Sequence, residues 1–459
     1  MSNKAFRLLM VVAVVLAALA APTVLAQDDL YVPIGDQPER FNWDSYEAFA
    51  AEYDFTGEEI EIFGPWVAED EGHITAVIDY FEAATGATVN YGGSGDAEQL
   101  IQVRVEGGDA PDIYVFPQPG AAADFARNGD LIPLGDETGD WIVENYAAGA
   151  DWAAFSTLTD ENGEDQVFIF PYKQDLKSLV WYVPDNFADA GYEIPETMED
   201  LLALSDEMVA NGDTPWCIGI ESGGATGWTA TDWVEDIMLR TQSLETYDQW
   251  VSNELPFNSE EVVNAVETFG TFVFTEGYVN GGVSAVSTTS FGDAPTGLFS
   301  VPADCFMHRQ ASFITSFFPE GLEAGLDYNA FYFPSFASED LGNPVLGAGT
   351  LFGMFEDSPT ARAFFEYLKT PIAHEIWMSR QGMLTAHSGV NSAAYANDLL
   401  RSQGDVLLGA TSFRFDASDL MPGAIGAGAF WTAMVNYVNG DSAQEVADFV
   451  QEAWDGLDQ

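Results

Sequence analysis

The sequence begins several catalytic motifs without completing any of them. His374 and Glu375 could start a zinc-protease helix, but the second histidine of that motif would stand where Met378 is found. Ser94 has the preceding glycine of a hydrolase nucleophile elbow, but Asp96 replaces the glycine that should follow. These motifs therefore indicate no catalytic residue.

Metal and cofactor chemistry is no better supported. Asp160, Asn162 and Gly163 resemble part of a calcium loop, but the glycine comes early and the terminal glutamate is missing. We therefore expect no metal and no cofactor. A glycosidase needs only two carboxylates at the right separation in space, and the chain has 74 acidic residues. An exported glycosidase therefore stays open as the enzyme alternative.

The placement of tryptophans favours binding over catalysis. The chain has 12 tryptophans, and Trp66, Trp228 and Trp431 fall in predicted loops beside polar residues. Aromatic faces can cover the apolar C–H faces of a sugar ring, while carboxylates and amides bond to its hydroxyls. The joint placement of these tryptophans favours a sugar ligand.

Strands and helices alternate in the segments that must position these residues. Periodicity and turn residues predict, in chain order, strand 59–66, a helix through 74–81, strand 88–91, helix 97–106, strand 113–116, helix 120–127, strands 178–183 and 216–221, and helix 231–240. Alternation of this kind predicts an α/β fold with a parallel sheet. We expect regular structure to begin near residue 58.

Acidic residues dominate the composition. Lys and Arg number 14 against 74 Asp and Glu, which gives a formal net charge of −60. Nucleic acid is excluded as a partner, because binding it depends on neutralising phosphates with basic side chains. A cationic ligand such as a polyamine is conceivable, but the acids are spread along the whole chain. That spread indicates an acidic, solvated surface.

The first 26 residues have the order of a secretory signal peptide. Lys4 and Arg7 precede an unbroken apolar run from Leu8 to Ala21, which is shorter than the roughly 20 residues that a membrane-spanning helix needs. We predict cleavage after Ala26 and an extracytoplasmic location, in the periplasm or outside the cell. Position 27 is not the cysteine that a lipid anchor requires.

The two cysteines, Cys217 and Cys305, both lie in the part predicted to be exported. An even pair outside the cytoplasm favours a disulfide. Two buried free thiols remain the alternative, because sequence alone does not establish that they meet.

Several segments carry a family resemblance. They are FEAATG (81–86), GGDAPDIYVFPQPG (107–120), FARNGDLIPL (125–134), PYK (171–173), VWY (180–182), PETMEDL (195–201), PWCIGI (215–220), PADCFMHRQ (302–310) and GAFW (428–431). These segments resemble the family 1 extracellular solute-binding proteins, the capture components of carbohydrate ABC importers. The last two are similar to the α-glucoside-binding branch and, more distantly, to maltose-binding protein.

The resemblance implies two α/β lobes joined by three crossovers, with the ligand held in the cleft between them. The implied crossovers lie near 170–173, 333–338 and 385–390. The implied division is an N-terminal extension (27–57), lobe 1 (58–171 and 336–387) and lobe 2 (172–335 and 388–459). Both cysteines then fall in lobe 2, where a disulfide would brace one lobe without locking the hinge.

The resemblance also implies the site and the function. The predicted ligand-binding residues are Trp66, Asp96, Phe116, Gln118, Pro119, Glu221, Ser222, Trp228, Asp232, Asp304, Gly347, Gly349 and Trp431. A monomer would capture a mono- or oligosaccharide, such as an α-glucoside, and its closed form would be read by the permease subunits of an ABC importer. No bond is broken, so the resemblance implies no catalytic residue. A polyamine-binding protein stays open as a second alternative.

Overall fold

The computed structural model describes residues 30–147, 149–342, 344–409 and 413–457. The predicted signal peptide lies outside these ranges and stays a prediction. None of the helices in the described ranges combines the length and the apolar character needed to cross a membrane.

The described residues form a mixed α/β fold, as the sequence predicts. The strands are β1 (Glu59–Gly64), β2 (Thr88–Gly93), β3 (Ile113–Phe116), β4 (Thr157–Thr159), β5 (Asp165–Val167), β6 (Ile169–Leu176), β7 (Leu179–Tyr182), β8 (Met307–Arg309), β9 (Asn329–Tyr332), β10 (Val345–Met354) and β11 (Phe413–Phe415). The α-helices are α1 (Trp43–Ala50), α2 (Glu69–Thr85), α3 (Ala97–Glu106), α4 (Pro119–Asn128), α5 (Asp136–Asn145), α6 (Gly149–Ser156), α7 (Pro184–Ala190), α8 (Met198–Asn211), α9 (Trp228–Thr241), α10 (Leu244–Val251), α11 (Glu260–Phe274), α12 (Val283–Val286), α13 (Pro359–Leu368), α14 (Pro371–Met378), α15 (Asp398–Gly409), α16 (Ala417–Leu420), α17 (Trp431–Val438) and α18 (Ala443–Leu457).

A six-stranded sheet organises the first part of the chain. Its order is β11-β10-β3-β1-β2, and β6 also pairs with β10. β1 is parallel to both β2 and β3, as the strand and helix alternation predicts. β10 runs antiparallel to β3 and β6. β6 is buried along its whole length, because it crosses the middle of the molecule beneath the cleft.

A second, three-stranded antiparallel sheet has the order β8-β7-β9. The strand predicted over 216–221 is not continuous. Trp216 instead forms parallel bridges to Val279 and Met307, and Glu221 forms one to Ser290. The ladder is interrupted because these residues pair with three different segments.

The expectation that regular structure begins near residue 58 is wrong. α1 lies before it, with Asn42 as a cap whose side chain accepts a hydrogen bond from the Ser45 N–H. Trp43 and Phe49 are buried, and their rings pack on Tyr80 and Tyr367 at centroid distances of 5.9 and 5.3 Å. The helix is only eight residues long and is held by these tertiary contacts. So short a segment carries too little periodicity to be detected.

We use first lobe and second lobe for the parts built around the first and second sheets. The chain passes between the sheets from β6 to β7 and again from β9 to β10. Tyr395 and Leu400 pack into the core beside the first sheet, whereas Ala417 and Met421 pack into the core beside the second. We therefore propose moving the third crossover from 385–390 to near Asp416; the lobe boundaries otherwise stay predictions.

The disulfide favoured from the sequence is present. Cys217 and Cys305 are bonded, with their Cα atoms 5.5 Å apart, and they close a loop with a sequence separation of 88 residues. Cys217 follows Trp216, Cys305 lies two residues before Met307, and Trp216 and Met307 form a bridge, so the bond ties together two segments at the second sheet. In the chain-entropy model a loop of this length contributes about 4–5 kcal/mol to stability.

Candidate ligand-binding site

A cavity of about 290 Å³ lies where the ends of the first sheet's strands face the second lobe. The first lobe contributes the segments that follow β1, β2 and β3, and also the middle of β6 and β10. The second lobe contributes the loop before α9, the start of α9, and residues next to α16 and α17. Ligands of open α/β sheets bind at the carboxyl ends of the strands, which is where this cavity lies.

Seven of the thirteen predicted binding residues line the cavity, and six lie outside it. Those that line it are Trp66, Gln118, Ser222, Trp228, Asp232, Gly349 and Trp431. Those outside it are Asp96, Phe116, Pro119, Glu221, Asp304 and Gly347. That any of these residues contacts a ligand stays a prediction.

Three of the six outlying residues belong to strands or to a helix of the first lobe. Phe116 is buried, and its ring packs edge-on to Tyr114 with centroids 4.7 Å apart. Pro119 is the first residue of α4, where its missing N–H costs nothing. Gly347 lies within β10, paired with both β6 and β11.

The other three outlying residues are acids whose carboxylates accept hydrogen bonds. Asp304 accepts from the Ser300 hydroxyl at 2.6 Å, and Glu221 accepts from the Gly223 N–H at 2.8 Å. Asp96 accepts from the backbone N–H of Gly224 at 3.2 Å, across the cleft. These partners belong to the protein itself.

Two of the three tryptophans predicted to lie in loops begin helices instead. Trp228 is the first residue of α9, and Trp431 is the first of α17, following a π-helical turn over 424–430. Only Trp66 lies in a loop, after β1. A side chain at a helix start can face a cavity as a loop residue can, so all three still line it.

An aromatic wall surrounds Trp228. Its ring centroid lies 5.1 Å from that of Phe291 and 6.0 Å from that of Phe313, and Phe291 in turn lies 5.1 Å from Phe317. All four rings line the cavity. The sequence analysis missed the three phenylalanines because they lie in segments without strand or helix periodicity. The spacing of Phe313 and Phe317, four residues apart, was the available signal.

Lys177 joins this wall to a buried network of charges. Its ammonium nitrogen lies 2.8 Å from an Asp232 carboxylate oxygen, contacts Asp416, and lies 5.2 Å from the Trp228 ring centroid. Burial alone would lower the pKa of Lys177, but the carboxylates of Asp232 and Asp416 outweigh it and hold that pKa well above its usual value. Lys177 therefore stays charged, although it is only 5% exposed.

Lys177 also lies where the crossovers meet. It follows β6, and its N–H donates to the Leu346 carbonyl, while the Asp416 N–H donates to the neighbouring Gly347 carbonyl. Sequence reasoning missed this lysine because its partners come from distant segments of the chain.

Three further acidic side chains that line the cavity are only partly solvated. Burial raises the pKa of Asp70 to about 6. Burial, reinforced by the charge of Asp419, raises the pKa of Glu98 to about 8. Burial also raises the pKa of Asp419 well above its usual value. None of these three residues was predicted, since acids are so frequent in the chain that no spacing marks them out.

Several buried polar atoms at the cavity have no hydrogen-bond partner among the described residues. They are Asp70 Oδ1, Asp232 Oδ2, Thr350 Oγ1 and Trp431 Nε1, and of these Asp232 Oδ2 lies 3.7 Å from the Arg309 guanidinium. A carboxylate accepts, an indole N–H donates, and a hydroxyl does both. A ligand that satisfied all of these groups would have to carry both donors and acceptors.

No metal is supported by the donor sets of the described residues. The carboxylates of Asp232, Glu235 and Asp416 come close enough to share an ion, but the Lys177 ammonium already contacts two of them. In the segment that resembles part of a calcium loop, Asp160 accepts hydrogen bonds from the N–H groups of Asn162 and Glu164. These contacts satisfy the carboxylate within its own turn.

Two sheets with separate helical layers, joined by crossovers beneath a ligand-sized cavity, define a two-lobed binding protein. Residues 68–375 match the sequence profile of the bacterial extracellular solute-binding proteins, and the chain belongs to that family. Proteins of this family bind solutes and are not enzymes, which removes the glycosidase alternative.

Individual relatives agree with this assignment. The chain is 54% identical to the alpha-glucosides-binding periplasmic protein AglE of Rhizobium meliloti over 92% of both chains. It is 41% identical to the osmoprotective compounds-binding protein GgtB of Synechocystis sp. over 86% of this chain and 92% of that one. Its fold is similar to that of the bacterial solute receptor AcbH, with a TM-score of 0.75 and 15% identity over 88% of this chain and all of that one.

Proposed function

We propose that this protein captures a short α-glucoside outside the cytoplasmic membrane and presents it to the permease of an ABC importer. The observation that carries the proposal is a cavity that combines aromatic faces with both hydrogen-bond donors and acceptors. A sugar offers C–H faces for the rings, and each of its hydroxyls both donates and accepts. The 54% identity to an α-glucoside-binding protein supports the choice of sugar.

The polyamine alternative fits the cavity less well. Lys173 and Lys177 both line it, and each ammonium is held within 2.8 Å of a carboxylate. Two fixed cations in a small cavity would repel a polycation. They also neutralise some of the carboxylates that line the cavity. Trp431 Nε1 also needs an acceptor, and a protonated polyamine has none.

The size of the cavity favours a short sugar. At about 290 Å³ it lies at the lower end of the range of roughly 300–1,000 Å³ typical of small-molecule sites. We propose the following contact residues: Trp66, Asp70, Glu98, Gln118, Ser222, Trp228, Asp232, Gly349, Thr350, Asp419 and Trp431. Asp70, Glu98, Thr350 and Asp419 replace the six predicted residues that lie outside the cavity.

Capture works through closure of the two lobes. Only the closed form offers both halves of the site, so a bound sugar shifts the population toward it. A permease that distinguishes the closed from the open form then receives only loaded protein. We further propose that the protein works as a monomer, exported by its signal peptide and without a lipid anchor.

Tryptophan fluorescence tests the proposal, because Trp66, Trp228 and Trp431 all line the cavity. The protein would be titrated separately with maltose, trehalose, sucrose and spermidine, and each sugar would then be recovered and chromatographed. We expect a saturable change with at least one disaccharide, which is recovered intact. A change with spermidine alone would refute the sugar ligand, and release of glucose would refute simple capture.

A further inference from the structure

Two hydrogen bonds outside the cavity join the first lobe to the second. Asp96, just before α3, accepts one from the Gly224 N–H at 3.2 Å. Asp124, in α4, accepts another from the Gly423 N–H at 3.1 Å. Neither aspartate is among the residues that line the cavity. In both contacts an acid of the first lobe holds a backbone N–H of the second.

The lobes approach closely at both contacts, and where α4 meets the second lobe a residue larger than glycine would not fit. A Cβ atom on Gly224 would lie 2.8 Å from the Gln99 side-chain oxygen. A Cβ atom on Gly120, one turn before Asp124 in α4, would overlap the carbonyl oxygen of Met421. Glycine is therefore required where α4 meets the second lobe. The two contacts lie on separate elements of the first lobe, α3 and α4.

We propose that Asp96 and Asp124 form a two-point clasp that holds the lobes closed over the ligand without contacting it. Asp96 was predicted to bind the sugar; we instead assign its carboxylate to the Gly224 N–H of the opposite lobe. Hydrogen bonds to an ionised acceptor are stronger than those between neutral groups. Because only the closed form binds fully, apparent affinity falls in proportion to the closed fraction. The clasp therefore sets affinity through closure.

The affinity arm of the test rests on the proposed function. Asp96→Ala, Asp124→Ala and the double variant would be compared with wild type by titration with whichever of maltose, trehalose and sucrose wild type binds. We expect roughly five- to tenfold weaker binding for each single variant and a larger loss for the double variant. The loss should lie mainly in a faster dissociation rate. Double-variant affinity equal to wild type would overturn the clasp.

Two controls separate closure from a general structural effect. Asp140→Ala removes an exposed acid from α5 in the same lobe and should leave affinity unchanged. Asp96→Asn keeps an acceptor oxygen and should bind more tightly than Asp96→Ala. Ligand-free melting temperatures should agree among all the variants. If Asp140→Ala weakened binding as much as Asp96→Ala did, net charge and not the clasp would be the cause.

A second readout needs no ligand. Amide hydrogen exchange of ligand-free protein would be followed in peptides that cover 222–226 and 421–425. We expect faster exchange there in the double variant than in wild type, because in the closed fraction of the ligand-free protein the Gly224 and Gly423 N–H groups lose the acceptors that protect them. Equal exchange would overturn the clasp. If wild type bound none of the sugars, the proposed function would fail, and this readout would still decide the clasp.

Discussion

The two sides of the cavity are built from different chemistry. Of the six aromatic residues that line it, five come from segments that the predicted division assigns to the second lobe, and only Trp66 comes from the first lobe. The first lobe contributes mainly polar groups, among them Asp70, Glu98 and Gln118. We infer that a sugar docks first on the aromatic side by covering its ring faces. Closure then brings the polar side onto its hydroxyls.

The two sides are also supported differently. Trp228 packs against neighbouring rings and against the Lys177 ammonium, which also pairs with Asp232. Arg309 pairs with Asp236 and lies 3.7 Å from Asp232. The polar side instead holds desolvated carboxyls whose raised pKa values reflect burial. Mutations on the aromatic side and mutations on the polar side should therefore change different properties of the protein.

The largest expected effect comes from removing the charge beneath the aromatic side. Lys177→Met leaves Asp232 and Asp416 without their shared cation in a buried place, and should lower the free energy of unfolding by about 3–5 kcal/mol. Urea denaturation would measure it. Lys369→Met, which breaks an ion pair with the half-exposed Glu366, should cost less than about 1 kcal/mol. Equal losses would mean that the buried network has no special role.

The next effect concerns pH and the polar side. The pKa of Asp70 is raised from 3.8 to about 6, so the folded protein holds a proton that the unfolded chain releases between those values. Wild type should therefore lose stability relative to Asp70→Asn as pH rises from about 4 to about 6. The loss should reach up to about 3 kcal/mol. Urea denaturation at a series of pH values would measure it, with Asp140→Asn as the control. Parallel curves for wild type and Asp70→Asn would contradict the assignment.

Removing a ring from the aromatic side should weaken ligand binding more than it weakens the fold. Trp228→Ala takes away the ring at the centre of the wall, and we expect about 10- to 100-fold weaker binding of a disaccharide. Gln118→Ala on the polar side should cost about fivefold or less. Calorimetric titration would compare the two variants. A greater loss from Gln118→Ala would reverse the proposed division between the sides.

The smallest effect isolates one hydrogen bond. Trp431→Phe keeps an aromatic ring but removes the buried Nε1 donor, which has no partner among the described residues. If that donor bonds to the sugar, affinity should fall by about two- to tenfold with little change in melting temperature. Unchanged affinity would mean that the indole nitrogen makes no bond to the ligand.

The sequence predicted those strands and helix ends whose structure depends on residues close together in the chain. β1 was found because apolar and polar residues alternate along it, and β3 because it is a short apolar run after a turn; Gly86 and Gly129 end helices in the left-handed conformation. α1 was missed because contacts with Tyr80 and Tyr367 hold it, not its own periodicity.

The residues of the candidate site also differ in whether the sequence could predict them. Trp66, Trp228 and Trp431 could be picked out because a tryptophan beside polar residues is unusual. The roles of Lys177 and Asp416 could not, since the two are brought together only when separate crossovers meet. The hydrogen bond from the Gly224 N–H to Asp96 could not be predicted either, because every residue except proline carries a backbone N–H.

Isothermal titration of wild type and Trp228→Ala would show whether a sugar binds this cavity through its aromatic side. Both proteins would be titrated with maltose, trehalose, sucrose and spermidine. We expect one-to-one binding of at least one disaccharide by wild type, about 10- to 100-fold weaker binding by Trp228→Ala, and no heat from spermidine. Equal sugar affinity in the two proteins, or binding of spermidine alone, would contradict this expectation.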